Sequence, residues 1–144
     1  MSQTMALAER HRLPLIRRAL PLLAVGAARP LARLSPARLR AVLEFARRGA
    51  APARAAQAAA AREEVVAVSM RCAGQNCLQR SIATALLCSA RGVWPTWCTG
   101  VRTHPFAAHA WVEAEGRPVG EPYPEGYYKP LLTVPPARAA GRRA

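Results

Sequence analysis

Apolar positions recur at helical spacing over roughly the first ninety residues and alternate like strands beyond them. Residues 13–34 set Leu clusters between arginines. Pro14, Pro21, Pro30, Pro36 and Pro52 are expected to divide the first 65 residues into short helical pieces. Ser35 before Pro36 reads as an N-cap followed by proline at the first helical position. The helix it opens carries Leu39, Val42, Leu43 and Phe45 and stops near Gly49. Residues 53–70 read as an Ala-rich helix with Val65, Val66 and Val68 toward its end. Gly74, Gln75 and Asn76 read as a turn. Cys77 then opens the helix CLQRSIATALLCSARG, closed by Gly92. Leu78, Ile82, Ala85 and Leu86 form its buried face. Strand-like runs follow at 94–102, 109–113 and 117–121. Residues 122–134 read as a Pro/Tyr/Gly-rich loop, and 135–144 as a disordered tail. The pattern therefore divides into a helical Arg/Leu/Ala-rich region, 1–69, a mixed α+β core, 70–134, and the tail.

The chain has 144 residues, enough for one domain with a real core. It carries 21 Lys+Arg against 8 Asp+Glu, a net charge of +13. Lys129 is the only lysine and every acid is Glu, a bias that matches GC-rich coding and weakens the arginine excess as a functional sign. Such a surface favours acidic partners. No zinc finger, RNA-recognition core or heptad-bearing basic helix supports nucleic-acid binding. No 18-residue apolar run is free of charge and proline, and no secretion signal is legible, so a cytoplasmic protein is expected. The Leu/Arg segment within residues 13–48 has two readings, a helix face packed on the rest of the protein and a contact face for a membrane surface or partner.

Cys72, Cys77, Cys88 and Cys98 are expected to be thiols, and their spacing suits no metal site. Cys77 stands apart because the first turn of a helix stabilises a thiolate. Cys88, in the middle of the same helix, reads as a buried structural residue. Among the histidines, His109 opens the strand HAWVE; His11 and His104 have no evident partner. If Ala114, Glu115 and Gly116 form a three-residue hairpin loop, His109 faces Glu121 across the strands. A two-residue turn at Glu115 and Gly116 instead puts Glu121 opposite Ala110, on the other face. The first register yields a nucleophile, base and orienting carboxylate in Cys77, His109 and Glu121. The Cys77 backbone N–H, with the Gln75 side chain as a second candidate, would hold the oxyanion.

The stretch CLQRSIATALL, from Cys77, with GVRTHPFAAHAWVEAEGRPV, from Gly100, resembles the leader peptidase of lasso-peptide biosynthesis. That family belongs to the transglutaminase-like, papain-related cysteine proteases, and the likeness covers roughly residues 70–125. It implies an α+β papain/transglutaminase-like core behind a helical N-terminal extension. It also implies cleavage of the leader from a ribosomally made lasso-peptide precursor, without metal or organic cofactor. Its nucleophile falls on Cys77 and its base on His109. Its usual third member, Asp, is matched by Glu121. The resemblance further implies a separate leader-binding protein, because residues 1–65 read as helices and not as the strand-rich leader-binding fold, and a macrolactam cyclase acting next. Two other classes compete: a noncatalytic precursor-binding scaffold, and a basic module binding membrane or nucleic acid. Transfer to an amine in place of water is a related enzymatic alternative.

Overall fold

The computed structural model describes residues 17–74 and 76–137. Helix α1 (Ala19–Leu31) is followed by α2 (Pro36–Ala46), the two-residue strand β1 (Ala51–Pro52), α3 (Ala55–Val68) and a single turn, α4 (Met70–Ala73). Helix α5 (Cys77–Ala90) leads into β2 (Val93–Trp94), β3 (Thr96–Thr103), β4 (Phe106–Ala114), β5 (Arg117–Pro118) and β6 (Lys129–Val134). Strands β1 and β2 pair in parallel; the main sheet is antiparallel in the order β5-β4-β3-β6.

Two helices start where the sequence says they should. Ser35 accepts a hydrogen bond from the Arg38 backbone N–H, with Pro36 opening α2. Helix α5 begins at Cys77, and Gly92 takes the left-handed conformation (φ +84°) just past its end. The prolines of the first helix do not divide it. Pro21 falls in the first turn of α1, where no intrahelical N–H bond is due, and Pro30 costs one bond in the last turn.

Helix α5 is the axis of the domain, packed by α1 and α3 and by β4 of the sheet. Ile82, Ala83, Ala85 and Leu87 of α5 are sealed from solvent. They meet Ala28 of α1, Leu43 of α2, Ala58, Ala61 and Val65 of α3, Trp94 of β2, and Trp97, Val112 and Val134 of the main sheet in one apolar cluster. Each large side chain buried there is worth about 1.5–3 kcal/mol. The helices before residue 69 thus share a core with the sheet. Both core tryptophans have partners for their polar edges: Trp94 Nε1 donates to the Val134 carbonyl and Trp97 Nε1 to Ser81 Oγ, each at 3.0 Å.

Two expectations are corrected. Residues 129–134 form a strand, β6, within the segment read as loop. Pro130 hides it in the sequence, but a strand paired on one side only tolerates proline. The hairpin after β4 turns through two residues, not three: Glu115 (φ +54°) and Gly116 (φ +78°) are both left-handed, so Ala114 pairs with Arg117 and Glu113 with Pro118. That geometry follows the twist of the flanking strands.

Candidate active site

Cys77 is the first residue of α5, and the Asn76 side chain makes no capping bond there. The first-turn backbone N–H groups therefore keep their partial positive charge at the thiol. The chain leading into this point is pinned by Arg80, a buried side chain whose Nη1 donates to the carbonyls of Cys72 (3.1 Å) and Gly74 (2.9 Å). Ser81, next in CLQRS, receives the Trp97 indole. Much of that motif thus builds the platform under the thiol.

His109 is carried by β4, whose residues alternate faces. Val112 and Ala114 enter the core, while His109, Trp111 and Glu113 belong to the other face. The His109 ring stacks with Tyr128 at 4.9 Å between centroids and with Trp111 at 5.8 Å. Its Nε2 lies 2.5 Å from Glu121 Oε1. This leaves Nδ1 as the ring nitrogen free to face Cys77, whose thiol pKa His109 lowers.

The electrostatics separate one cysteine from the rest. Burial pushes the Cys77 thiol up, but hydrogen bonds from His109 and the Ala110 backbone, with the charges of His109 and Arg80, outweigh it and hold the thiol below its ordinary value. Burial pushes His109 down, yet its bonds with Cys77 and Glu121, and their charges, raise it to about 9. Both shifts run in the direction that favours the thiolate–imidazolium form of the pair. The other three thiols are shifted the opposite way by burial: Cys72 upward, Cys88 to about 11 and Cys98 to about 12. All four are free thiols.

Glu121 reaches His109 in spite of the register. With a two-residue turn, continued pairing would put it opposite Ala110 and on the wrong face. The Val119 N–H still bonds the Val112 carbonyl, in line with that register. The strand geometry then breaks at Gly120, whose φ of +67° belongs to the left-handed region. The chain turns there, and Glu121 comes back to the imidazole. The three-residue loop was the wrong reason for this pairing; a glycine kink supplies it.

Arg62 of α3, which the sequence reading did not single out, sits behind Glu121. It is 8% exposed, and its Nη2 lies 3.9 Å from Glu121 Oε2. A Cβ on Gly120 would fall 2.7 Å from Arg62 Cδ and 2.9 Å from Nε, so only glycine lets the arginine cross this point. A signal for it exists. Arg62 occupies a slot on the apolar face formed by Ala58, Ala61 and Val65, and an arginine there needs a carboxylate.

Of the expected site residues, Cys77, His109 and Glu121 meet. Gln75 and His11 lie outside the described residues. His104 lies exposed in the turn between β3 and β4.

A thiol on a helix N-terminus, an imidazole on an adjoining strand and a carboxylate behind it define a thiol-activating α+β fold. The comparison with known families agrees: the model of the transglutaminase-like superfamily matches residues 21–133, and the chain belongs to that superfamily, which includes cysteine peptidases. The match takes in the helices α1 to α3 as well as the sheet. No curated protein and no solved structure gives a significant match. No described helix is long and apolar enough to cross a membrane.

Proposed function

We propose that this protein is a cysteine peptidase that removes the leader from a ribosomally made lasso-peptide precursor in the cytoplasm. The observation that carries the peptidase reading is the His109–Glu121 hydrogen bond together with the effect of His109 on Cys77, which alone of the four thiols is held below its ordinary value. The substrate rests on the resemblance of CLQRSIATALL and PFAAHAWVE to the lasso leader peptidases.

The chemistry is acyl transfer to sulfur and then to water. The Cys77 thiolate attacks the scissile carbonyl, and the oxyanion forms against the Cys77 backbone N–H at the head of α5. His109 gives its proton to the departing amine, leaving a thioester. The now neutral imidazole takes a proton from water, whose oxygen attacks the thioester; collapse releases the acid and returns the proton to the Cys77–His109 pair. Glu121 orients the ring and stabilises its charged form. Arg62 acts through Glu121 and is a positioning residue.

The partners that follow are a separate leader-binding protein, which presents the precursor, and a macrolactam cyclase, which receives the core. The exposed Leu22, Leu23 and Phe45 lie within 13–48, the region proposed for partner or membrane-surface contact. Mass spectrometry of the precursor, incubated with this protein and its leader-binding partner, tests the proposal. Wild type is expected to release a leader-sized fragment, and Cys77→Ala and His109→Ala none. Absence of cleavage with a folded, leader-bound partner would favour the noncatalytic scaffold.

A further inference from the structure

The segment after Glu121, PYPEGYYKP, is the richest in aromatic residues, and no step of the chemistry above uses it. It runs from the end of β5 to β6, at opposite edges of the sheet, and closes a cavity of about 210 Å³ with the His109 face of β4. Trp111, Tyr123 and Tyr128 give this cavity aromatic walls, and His109 forms part of its lining.

Its charge runs against the rest of the molecule. In a chain of 21 Lys+Arg and 8 Asp+Glu, three glutamates line the cavity and no Lys or Arg does; the one basic group in its lining is His109, which is paired with Glu121. Glu121 is committed to His109 and Arg62. The other two have no ion pair among the described residues. Glu113 Oε2 accepts the Trp111 indole N–H at 2.9 Å, and its second oxygen has no partner among the described residues. Glu125 is exposed in the loop and makes no ion pair among the described residues. Elsewhere Glu44 pairs with Arg40 and Glu64 with Arg91, while Glu63 is exposed and Glu115 accepts the Ala55 N–H, and neither of these two lines the cavity. Two carboxylates without an ion pair among the described residues, set together in one aromatic cavity that no Lys or Arg lines, point to a cation from outside. The loop already binds one guanidinium: Arg102, which does not line the cavity, lies 4.8 Å over the Tyr127 ring.

We infer that this cavity is a subsite for a cationic side chain of the substrate peptide, guanidinium before ammonium, next to the scissile bond. A planar guanidinium stacks on Trp and Tyr faces while its N–H groups reach Glu113 and Glu125. The place beside the bond follows from His109, which hydrogen bonds Glu121, is the proposed base for Cys77 and also lines the cavity. The inference takes its substrate from the peptidase reading, but binding can be measured without cleavage.

The test is an NMR titration of the full-length Cys77→Ala protein, following the indole N–H of Trp111, with Trp111→Phe to assign it. The probes are the N-acetyl N-methylamides of arginine, citrulline, norleucine and glutamate. The arginine probe is expected to move the Trp111 signal with a Kd on the order of millimolar, and citrulline, its neutral isostere, to bind about tenfold more weakly. Glu125→Gln, a loop change that leaves the core untouched, should weaken arginine several-fold and leave citrulline unchanged; Glu113→Gln is the second variant. Equal binding of arginine and citrulline, no shift with arginine, or indifference to both glutamate variants would overturn the inference. A precursor that is not cut although the arginine probe binds overturns the peptidase reading alone.

Discussion

Replacing Gly120 with alanine tests the link from backbone to site most directly. Two costs add. An L-residue at φ +67° bears a strain of ~1 kcal/mol. The new Cβ also meets Arg62 Cδ, Nε and Nη1 within 2.9 Å, so the arginine must withdraw from its berth beside Glu121. Both partners are buried there, at 10% and 6% side-chain exposure. Breaking such a pair costs ~3–5 kcal/mol when a charge is stranded. Glu121 keeps His109 and Arg62 can turn outward, so ~1–2 kcal/mol is the better figure. The total is ~2–3 kcal/mol, or a fall in Tm of roughly 10 °C. Gly116→Ala and Gly92→Ala are the controls, because both glycines have positive φ and neither would place a Cβ within 4 Å of another group. They should lose ~1 kcal/mol, or roughly 4 °C. The second readout is the alkylation rate of Cys77 by iodoacetamide at neutral pH. Without Glu121 held in place the imidazolium is less favoured, the thiol moves back up, and the rate should fall ~tenfold in Gly120→Ala but not in the controls. If Gly120→Ala matches the controls in both melting and alkylation, the kink and the arginine behind it do not position Glu121.

Two further outcomes follow from the same geometry. Cleavage should rise with pH as Cys77 loses its proton below the ordinary thiol value, and fall as His109 loses its own near about 9; Glu121→Gln removes a bond that raises His109 and should bring the alkaline limb to lower pH. A pH–rate profile whose alkaline limb does not move would remove Glu121 from its role. Gly100→Ala should destabilise the sheet by roughly 2–4 kcal/mol in urea unfolding, since its Cβ would overlap the Lys129 carbonyl oxygen and lie 3.0 Å from Trp111 Cη2; a loss under ~1 kcal/mol would mean that β6 is not held at this distance.

How far the sequence could be read depended on whether the deciding signal was local. The helix opened by Cys77 and the cap at Ser35 were legible because N-terminal positions, glycine stops and apolar spacing lie within a few residues of each other. Strand β6 was not, because Pro130 and the preceding Pro/Tyr/Gly run outweigh its short LLTV pattern, and its partner is β3, some thirty residues away. The hairpin register failed on turn type: Glu115 carries a positive φ that residue preferences assign to glycine, asparagine or aspartate, and this chain has no aspartate at all. The Pro/Tyr/Gly segment was legible as loop over 122–128, but nothing in it says which face of the sheet it covers.

Through Arg62 the N-terminal helices support the site. A carboxylate that orients an imidazole must itself be fixed, and Glu121 sits on a segment that has just left the sheet, with no strand partner of its own. Its second oxygen faces a guanidinium delivered from α3, whose Ala58, Ala61 and Val65 are locked against α5. The helix that presents the nucleophile is therefore the one against which the support for the third residue is packed. A displacement of α3 relative to α5 would move Arg62 and the carboxylate it supports, so the separation of thiol and carboxylate depends on helix packing as well as on the kink at Gly120.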